Sequence, residues 1–294
     1  TAALGSTMIG ELEKKNYSRE WATGIVASSG VVGIVIPPSI TLVVYGVIAD
    51  TSIGDLFVGG LIPGIMMGLA MMMVSWYLAI KNGIEAEGSF SVKAVLISFK
   101  DSFFALMTPV IIIGGIYGGI FTPTEAAAVA AVYGVFVGFF IYKELKFKDF
   151  PKIIFQAVTG TTLIMFLVGA ANVFGWVITN LQIPQQVASF VVSITSSPIV
   201  FLLAMNVLLL FIGTLVNASA AVVILTPIFL PVAITLGIDP LFFGVLMVVN
   251  LAIGCITPPV GLDLFVASAI AKVPIERVMK ATLPYLYALL VVLI

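Results

Sequence analysis

"GIVIPPSI" (Gly33–Ile40) and "GCITPPVG" (Gly254–Gly261) hold the only two Pro-Pro pairs of the chain, and both sit inside long apolar runs. A proline in a helix interior costs roughly 3 kcal/mol, because it removes a hydrogen bond and clashes with the carbonyl four residues back. The two stretches are offset by 221 residues, and at that offset Gly33 meets Gly254, Pro63 meets Pro284, Asp55 meets Glu276, Leu4 meets Leu225 and Ser29 meets Asn250. Glycine, prolines and a carboxylate matching together point to an internal repeat.

The rest of the composition says where that repeat lives. Of the 294 residues 61% are hydrophobic and 9% charged, with a mean hydropathy of +1.23. A soluble domain carries roughly 25% charged residues. Several apolar runs reach the roughly 20 residues that cross a bilayer as a helix, so the class expected is an all-α polytopic membrane protein. Histidine is absent and Cys255 is the only cysteine. Ser-His and Cys-His catalysis, HExxH chemistry and an intrachain disulfide are thereby excluded. There is no GxxxxGK[ST] phosphate loop and no basic patch for nucleic acid. Beginning at Thr1 and ending inside "ALLVVLI", the sequence reads as a piece of a longer protein.

Hydrophobic runs and their punctuation divide the chain. Residues 1–10 read as a helix end before the charged turn "ELEKKNYSRE". Spans are expected at 21–48 (with the first break), 57–80, 103–121, 123–142, a segment ending near Asn180, 241–270 (with the second break) and from Thr282 onward. An interfacial helix is expected around "VKAVLISF", an amphipathic arm at "KELKFKDFPKIIF", and a short non-spanning piece at 185–197. The run 199–231 is interrupted at "GTLVNASA" and reads as a re-entrant hairpin. With that hairpin entering and leaving on one face, all thirteen Lys and Arg residues fall on one side, which the positive-inside rule makes cytoplasmic. If the run crossed once, Lys272, Arg277 and Lys280 would move outside. The division expected is repeat one over 1–80, scaffold spans and arms over 81–160, and repeat two over 161–294.

In that topology the two broken helices run in opposite directions. Inverted repeats with interrupted helices are the signature of secondary transporters, whose sites lie near the midplane at the repeat interface. Pro37 and Pro38 cannot donate to the carbonyls of Gly33 and Ile34, nor Pro258 and Pro259 to those of Gly254 and Cys255. Free carbonyls at membrane depth require protein, water or an ion as partner. With Ser39 and Thr257 beside them they suit a hard monovalent cation such as Na⁺, while the helix N-termini downstream favour an anion. The alternative is a pair of plain kinks packed against neighbours.

"ATGIVASSGVVGIVIPPSI", "GGIYGGIFTPTEAAAVAAVYG", "LTPIFLPVA" and "TPPVGLDLFVASAIAKV" resemble, in order and spacing, the large membrane (M) subunit of tripartite ATP-independent periplasmic (TRAP) transporters. The likeness covers essentially the whole chain and its wording is closest to the sialic-acid branch. It implies an elevator-type, sodium-driven importer in the bacterial inner membrane, fed by a periplasmic substrate-binding protein. It also implies a small four-helix membrane (Q) subunit, separate or fused, and an organic-acid substrate such as sialic acid or a C4-dicarboxylate. In the family, "TAALGSTM" follows the tip of the first hairpin, so that tip would precede Thr1.

The candidate cation set is therefore Gly33, Ile34, Pro37 and Ser39 at the first break, Gly213 and Asn217 at the hairpin tip, and Gly254, Cys255, Thr257 and Pro258 at the second break. Ser219, Ser39 and Asp263, the one carboxylate deep in an apolar run, are candidates for the substrate. Ser28, Ser29 and Asn250 line the cavity or bond neighbouring helices. Thr122, Pro123 and Glu125 form a capping box, a structural device. A channel with re-entrant pore loops is the competing function, disfavoured by the lack of a charged pore ring. A membrane-embedded enzyme is remote.

Overall fold

At the first break the helix stops and restarts within four residues. Ser18 accepts a hydrogen bond from Trp21 N at 3.2 Å and opens α2 (Arg19–Val35). Pro37 and Pro38, joined by a cis peptide bond, end it. Ser39 then accepts from Leu42 N at 3.2 Å and opens α3 (Ile40–Ala49). The same sequence of events recurs further on. Asp239 caps α11 (Pro240–Gly254) through Leu241 N and Phe242 N, a cis Pro258–Pro259 bond follows, and α12 (Leu262–Ala271) resumes after Gly261.

The computed structural model describes residues 1–84, 91–194 and 197–294. Among these residues all regular secondary structure is helical. The remaining helices are α1 (Ala2–Lys14), α4 (Ile53–Lys81), α5 (Val92–Tyr117), α6 (Pro123–Phe136), α7 (Phe150–Asn180), α8 (Ile183–Ile194), α9 (Pro198–Leu215), α10 (Ala218–Thr235) and α13 (Ile275–Leu293). Among the described residues seven stretches are long and apolar enough to cross a membrane, counting α2 and α3 together as one and including both α9 and α10. This is the expected all-α polytopic membrane fold.

The repeat is legible in backbone detail. The left-handed Asn16 (φ 64°) and Gly237 (φ 76°) lie at the 221-residue offset, as do the caps Ser18 and Asp239. After the breaks the offset becomes 222, pairing left-handed Asp50 (φ 51°) with Lys272 (φ 53°) and the start of α4 with that of α13. Asp55 and Glu276, and Pro63 and Pro284, matched at 221 in the sequence, therefore stand one position out of structural register. The second break is thus one residue richer, and its connection runs over 255–261 against 36–39 in the first.

Two units emerge from packing, residues 1–85 with 170–294, and residues 86–169. The first has its core where α2, α4, α9, α11 and α13 meet, with Tyr45, Phe243, Met247, Leu251 and Tyr285 fully buried. Trp21 Nε1 donates to Tyr285 Oη at 3.0 Å, and Tyr285 Oη lies 3.1 Å from Ser75 Oγ, so one polar chain ties α2, α13 and α4 together. In the second unit α5 packs on α6. There Tyr142 Oη is inserted in the α5 ladder, donating to Asp101 O at 2.8 Å and accepting from Ala105 N at 3.2 Å. The Thr122–Glu125 capping box is formed in full.

Several boundaries differ from expectation. α1 continues through the charged stretch to Lys14, helped by the exposed Lys14–Glu11 pair at 2.6 Å. The interfacial helix expected around "VKAVLISF" is not separate from the third span, because residues 92–117 form one helix; residues 85–90, before it, lie outside the described residues. The amphipathic arm reduces to a 3₁₀ turn (Phe147–Asp149) and the first turns of α7. Pro151 falls in the first turn of α7, where its missing N–H costs nothing. The last span begins at Ile275 rather than near Thr282. α8, with 12 residues, is too short to cross a bilayer, as expected of the piece at 185–197.

Candidate functional site

The site is built where three interruptions meet. α9 and α10 are joined at Val216–Asn217, and this tip touches both broken helices. Toward the second break, Gly261 N donates to Thr214 O at 3.0 Å, and the Ala218 N–H reaches the Cys255 thiol. Gly213 and Gly254 sit back to back, so that a Cβ on Gly254 would fall 2.6 Å from Gly213 Cα. Toward the first break, Thr41 Oγ1 lies 3.1 Å from Ser219 Oγ. The hairpin tip therefore lies against both breaks.

Each interruption presents two opposite helix ends. The C-termini of α2, α9 and α11 bring carbonyl oxygens and partial negative charge; the N-termini of α3, α10 and α12 bring amide hydrogens and partial positive charge. Such ends are suited to a cation and an anion respectively.

The individual residues are less uniform than their types suggest. Of the four carbonyls expected to be released by the prolines, Gly33 O alone receives no hydrogen bond among the described residues. Ile34 O accepts from the Ser39 hydroxyl, Gly254 O from Thr257 N at 2.9 Å, and Cys255 O from Asp263 N at 3.0 Å. The prolines do remove the helical donors, but neighbouring groups replace three of them. Each carbonyl keeps a second lone pair, so coordination at these oxygens is not blocked. Gly33 itself is exposed, with open space where a side chain would stand.

Gly213, expected to face the site, is instead buried against α11, and its lack of a side chain permits that crossing. Asn217 Oδ1 accepts from Ser219 N at 3.0 Å, which makes Asn217 the N-cap of α10. Thr257 Oγ1 bonds back to Ile253 O at 2.9 Å. Pro37 is buried, and Pro258, at the equivalent position of the second break, is partly exposed. Asp263 lies beside Thr1 at the start of α1, and its amide donates to Cys255 O at the second break. Ser28 and Asn250 are fully buried; Asn250 Nδ2 donates to Asn206 Oδ1 and to Leu246 O, each at 2.8 Å, so it bonds neighbouring helices. Ser29 bonds Val26 O within its own helix at 3.0 Å.

Thr41, Thr214 and Gly261 were not among the sequence candidates. The signal for Gly261 was present, since a glycine one residue beyond the repeat register marks an insertion, and here it takes φ 63°. Thr41 and Thr214 carry no local signal, because their roles depend on partners 178 and 47 positions away.

Paired interrupted helices around a hairpin tip define a secondary transporter of the membrane. The family model described as "Tripartite ATP-independent periplasmic transporter, DctM component" matches residues 1–294, and the chain belongs to this family as its large membrane subunit. It is 45% identical to the C4-dicarboxylate TRAP transporter large permease protein of Pseudomonas aeruginosa, over all of this chain and 69% of that protein. It is also 45% identical to the isethionate TRAP transporter permease protein of Oleidesulfovibrio alaskensis, over all of this chain and 46% of that one. The sialic acid TRAP transporter large permease protein of Vibrio cholerae is 40% identical, over 99% of this chain and 68% of its own length. Family and apolar helices together make this a multi-pass protein of the bacterial inner membrane, and a permease rather than an enzyme.

Proposed function

We propose that this chain carries out sodium-coupled import of an organic acid, with the α9–α10 tip and the two breaks as its binding region. The observation that carries the reading is the 3.1 Å approach of Thr41 to Ser219, which brings the N-termini of α3 and α10 to one point. Two converging positive helix ends favour an anionic group of the substrate, and the Ser219 and Thr41 hydroxyls supply directional donors. Relatives named for C4-dicarboxylate, isethionate and sialic acid share an acid group, which fits that end of the site. A carboxylate is the group the chain is proposed to hold.

For the cation, the donor set is oxygen only: Gly33 O, the hydroxyls of Ser39 and Thr257, and the second lone pairs of Ile34 O, Gly254 O and Cys255 O. Hard oxygens without a carboxylate fit a monovalent hard ion better than a divalent or soft one. Sodium bound at the breaks would hold helix ends in the positions the acid requires, and neutralise part of its charge. Ser39 positions the first break through its bond to Ile34 O, and Asn217 positions the tip by capping α10. Movement of the repeat core relative to a scaffold, in an elevator cycle, would then carry both across. Membership of the family points to a periplasmic binding protein and a small membrane subunit as partners, and the designation DctMQ of the Oleidesulfovibrio alaskensis relative is in keeping with a small subunit joined to the large one.

The deciding experiment is uptake of radiolabelled organic acid by the complete transporter in proteoliposomes, with its binding protein supplied outside. Replacement of Na⁺ by choline should abolish accumulation. Uptake of the same size in choline would remove sodium coupling from the account.

A further inference from the structure

Away from the breaks, a cavity of about 320 Å³ opens where the first turn of α2, the last turn of α4 and the first half of α13 converge. Its floor is apolar, made by Trp21, Leu78, Ala281 and Pro284, and its rim is polar, made by Ser18, Asn82, Arg277 and Lys280 with Glu20. Two cations face one carboxylate. Arg277 Nη1 is paired with Glu20 Oε1 at 3.1 Å, whereas Lys280 makes no ion pair among the described residues. The N-terminus of the 17-residue helix α2 adds partial positive charge. The opposing C-terminus of α4 is blunted, because Asn82 Nδ2 donates to Leu78 O at 2.8 Å.

A second, independent feature fixes the depth of this cavity. Trp76 and Tyr77, immediately before Leu78 on the last turns of α4, are 70% and 61% exposed. Exposed Trp and Tyr at the end of a membrane-spanning helix sit at headgroup level. The cavity thus combines an apolar floor and a net positive rim at the height of lipid phosphates. In the topology read from the sequence, this end of α2, α4 and α13 is the cytoplasmic one, where the leaflet is anionic.

We infer that this cavity binds the phosphate-bearing headgroup of an anionic phospholipid, with Lys280 and Arg277 on the phosphate and the acyl-proximal part of the lipid against Leu78 and Pro284. A phosphate ion free in the cytoplasm would satisfy the rim but not the apolar floor.

Native mass spectrometry of the complete purified transporter tests this, with dioleoylphosphatidylglycerol, dioleoylphosphatidylcholine and inorganic phosphate as separate probes. Retained phosphatidylglycerol should exceed phosphatidylcholine. It should fall about fivefold in Lys280→Gln and about thirtyfold in the Arg277→Gln/Lys280→Gln double variant, the loss expected for one and two basic groups at an anionic headgroup. Lys280→Arg should retain it. Because Lys280 has no ion pair to lose, unchanged thermal melting of Lys280→Gln separates a lost site from a lost fold. Equal retention of phosphatidylglycerol by the double variant, equal binding of the two lipids, or displacement of phosphatidylglycerol by millimolar inorganic phosphate would each overturn the assignment.

Discussion

Thr41 and Ser219, 178 residues apart in the chain, bring their hydroxyl oxygens to 3.1 Å and so join the restart of the first broken helix to the tip of the hairpin. Among the described residues it is the side-chain hydrogen bond that joins α3 to α10. Thr41→Val keeps the shape and removes the hydroxyl. A single hydrogen bond contributes about 1 kcal/mol net, or roughly fivefold in affinity. Uptake kinetics should show an apparent KM for the organic acid raised by about that factor, with the half-saturating Na⁺ concentration unchanged.

The glycines at equivalent positions of the repeat should respond in opposite ways. In Gly254→Ala the new Cβ would meet Gly213 Cα at 2.6 Å, so the α9–α11 crossing must separate. Overpacking of this kind costs about 1–3 kcal/mol, read as a lowered melting temperature of the purified transporter. Gly33→Ala meets open space and gains helix propensity, so the same measurement should show no loss. Transport by Gly33→Ala then reports on the cation directly.

Asn217 combines a structural bond with a proposed functional one, and two substitutions separate them. Asn217→Ala removes the cap from Ser219 N, at a cost of about 1 kcal/mol. It should lower the melting temperature and raise the Na⁺ concentration needed for half-maximal uptake. Asn217→Ser restores a capping oxygen, so stability should return while the Na⁺ response stays weakened. Full recovery of both would confine Asn217 to capping.

Tyr285→Phe tests the polar chain in the core. It strips the acceptor from Trp21 Nε1, at 3.0 Å, and the partner from Ser75. A buried donor left unpaired costs about 1–3 kcal/mol, and the melting temperature of the purified transporter should fall accordingly. Trp21→Phe in the same background should cost less than it does alone, since the donor is already orphaned.

The fold was legible because prolines, caps and glycines mark the ends of helices locally. Ser18, Ser39, Asp239 and the two Pro-Pro pairs each act on groups within a few positions, and the repeat doubles the signal. Where boundaries were missed, the sequence held no breaker: "KELKFKDFPKIIF" runs into its span because Pro151 falls in a first turn, and α1 absorbs "ELEK" because Glu and Lys are good helix formers. The candidate site was legible in outline, since "GTLVNASA" and the two breaks do converge. What could not be seen was the partner of each oxygen. Whether Ile34 O is free depends on a rotamer of Ser39, and whether Gly213 faces a ligand or a helix depends on the crossing of α9 over α11.

The extra residue of the second break makes the two seams of the tip chemically unlike. The seam through Gly261 N and Thr214 O is main chain to main chain, and it rests on a left-handed glycine that side chains fit poorly. The seam through Thr41 and Ser219 is a pair of hydroxyls, which a single nucleotide change can remove or enlarge. Point mutation can therefore tune one side of the tip by exchanging hydroxyls, while on the other it can act only by straining the backbone.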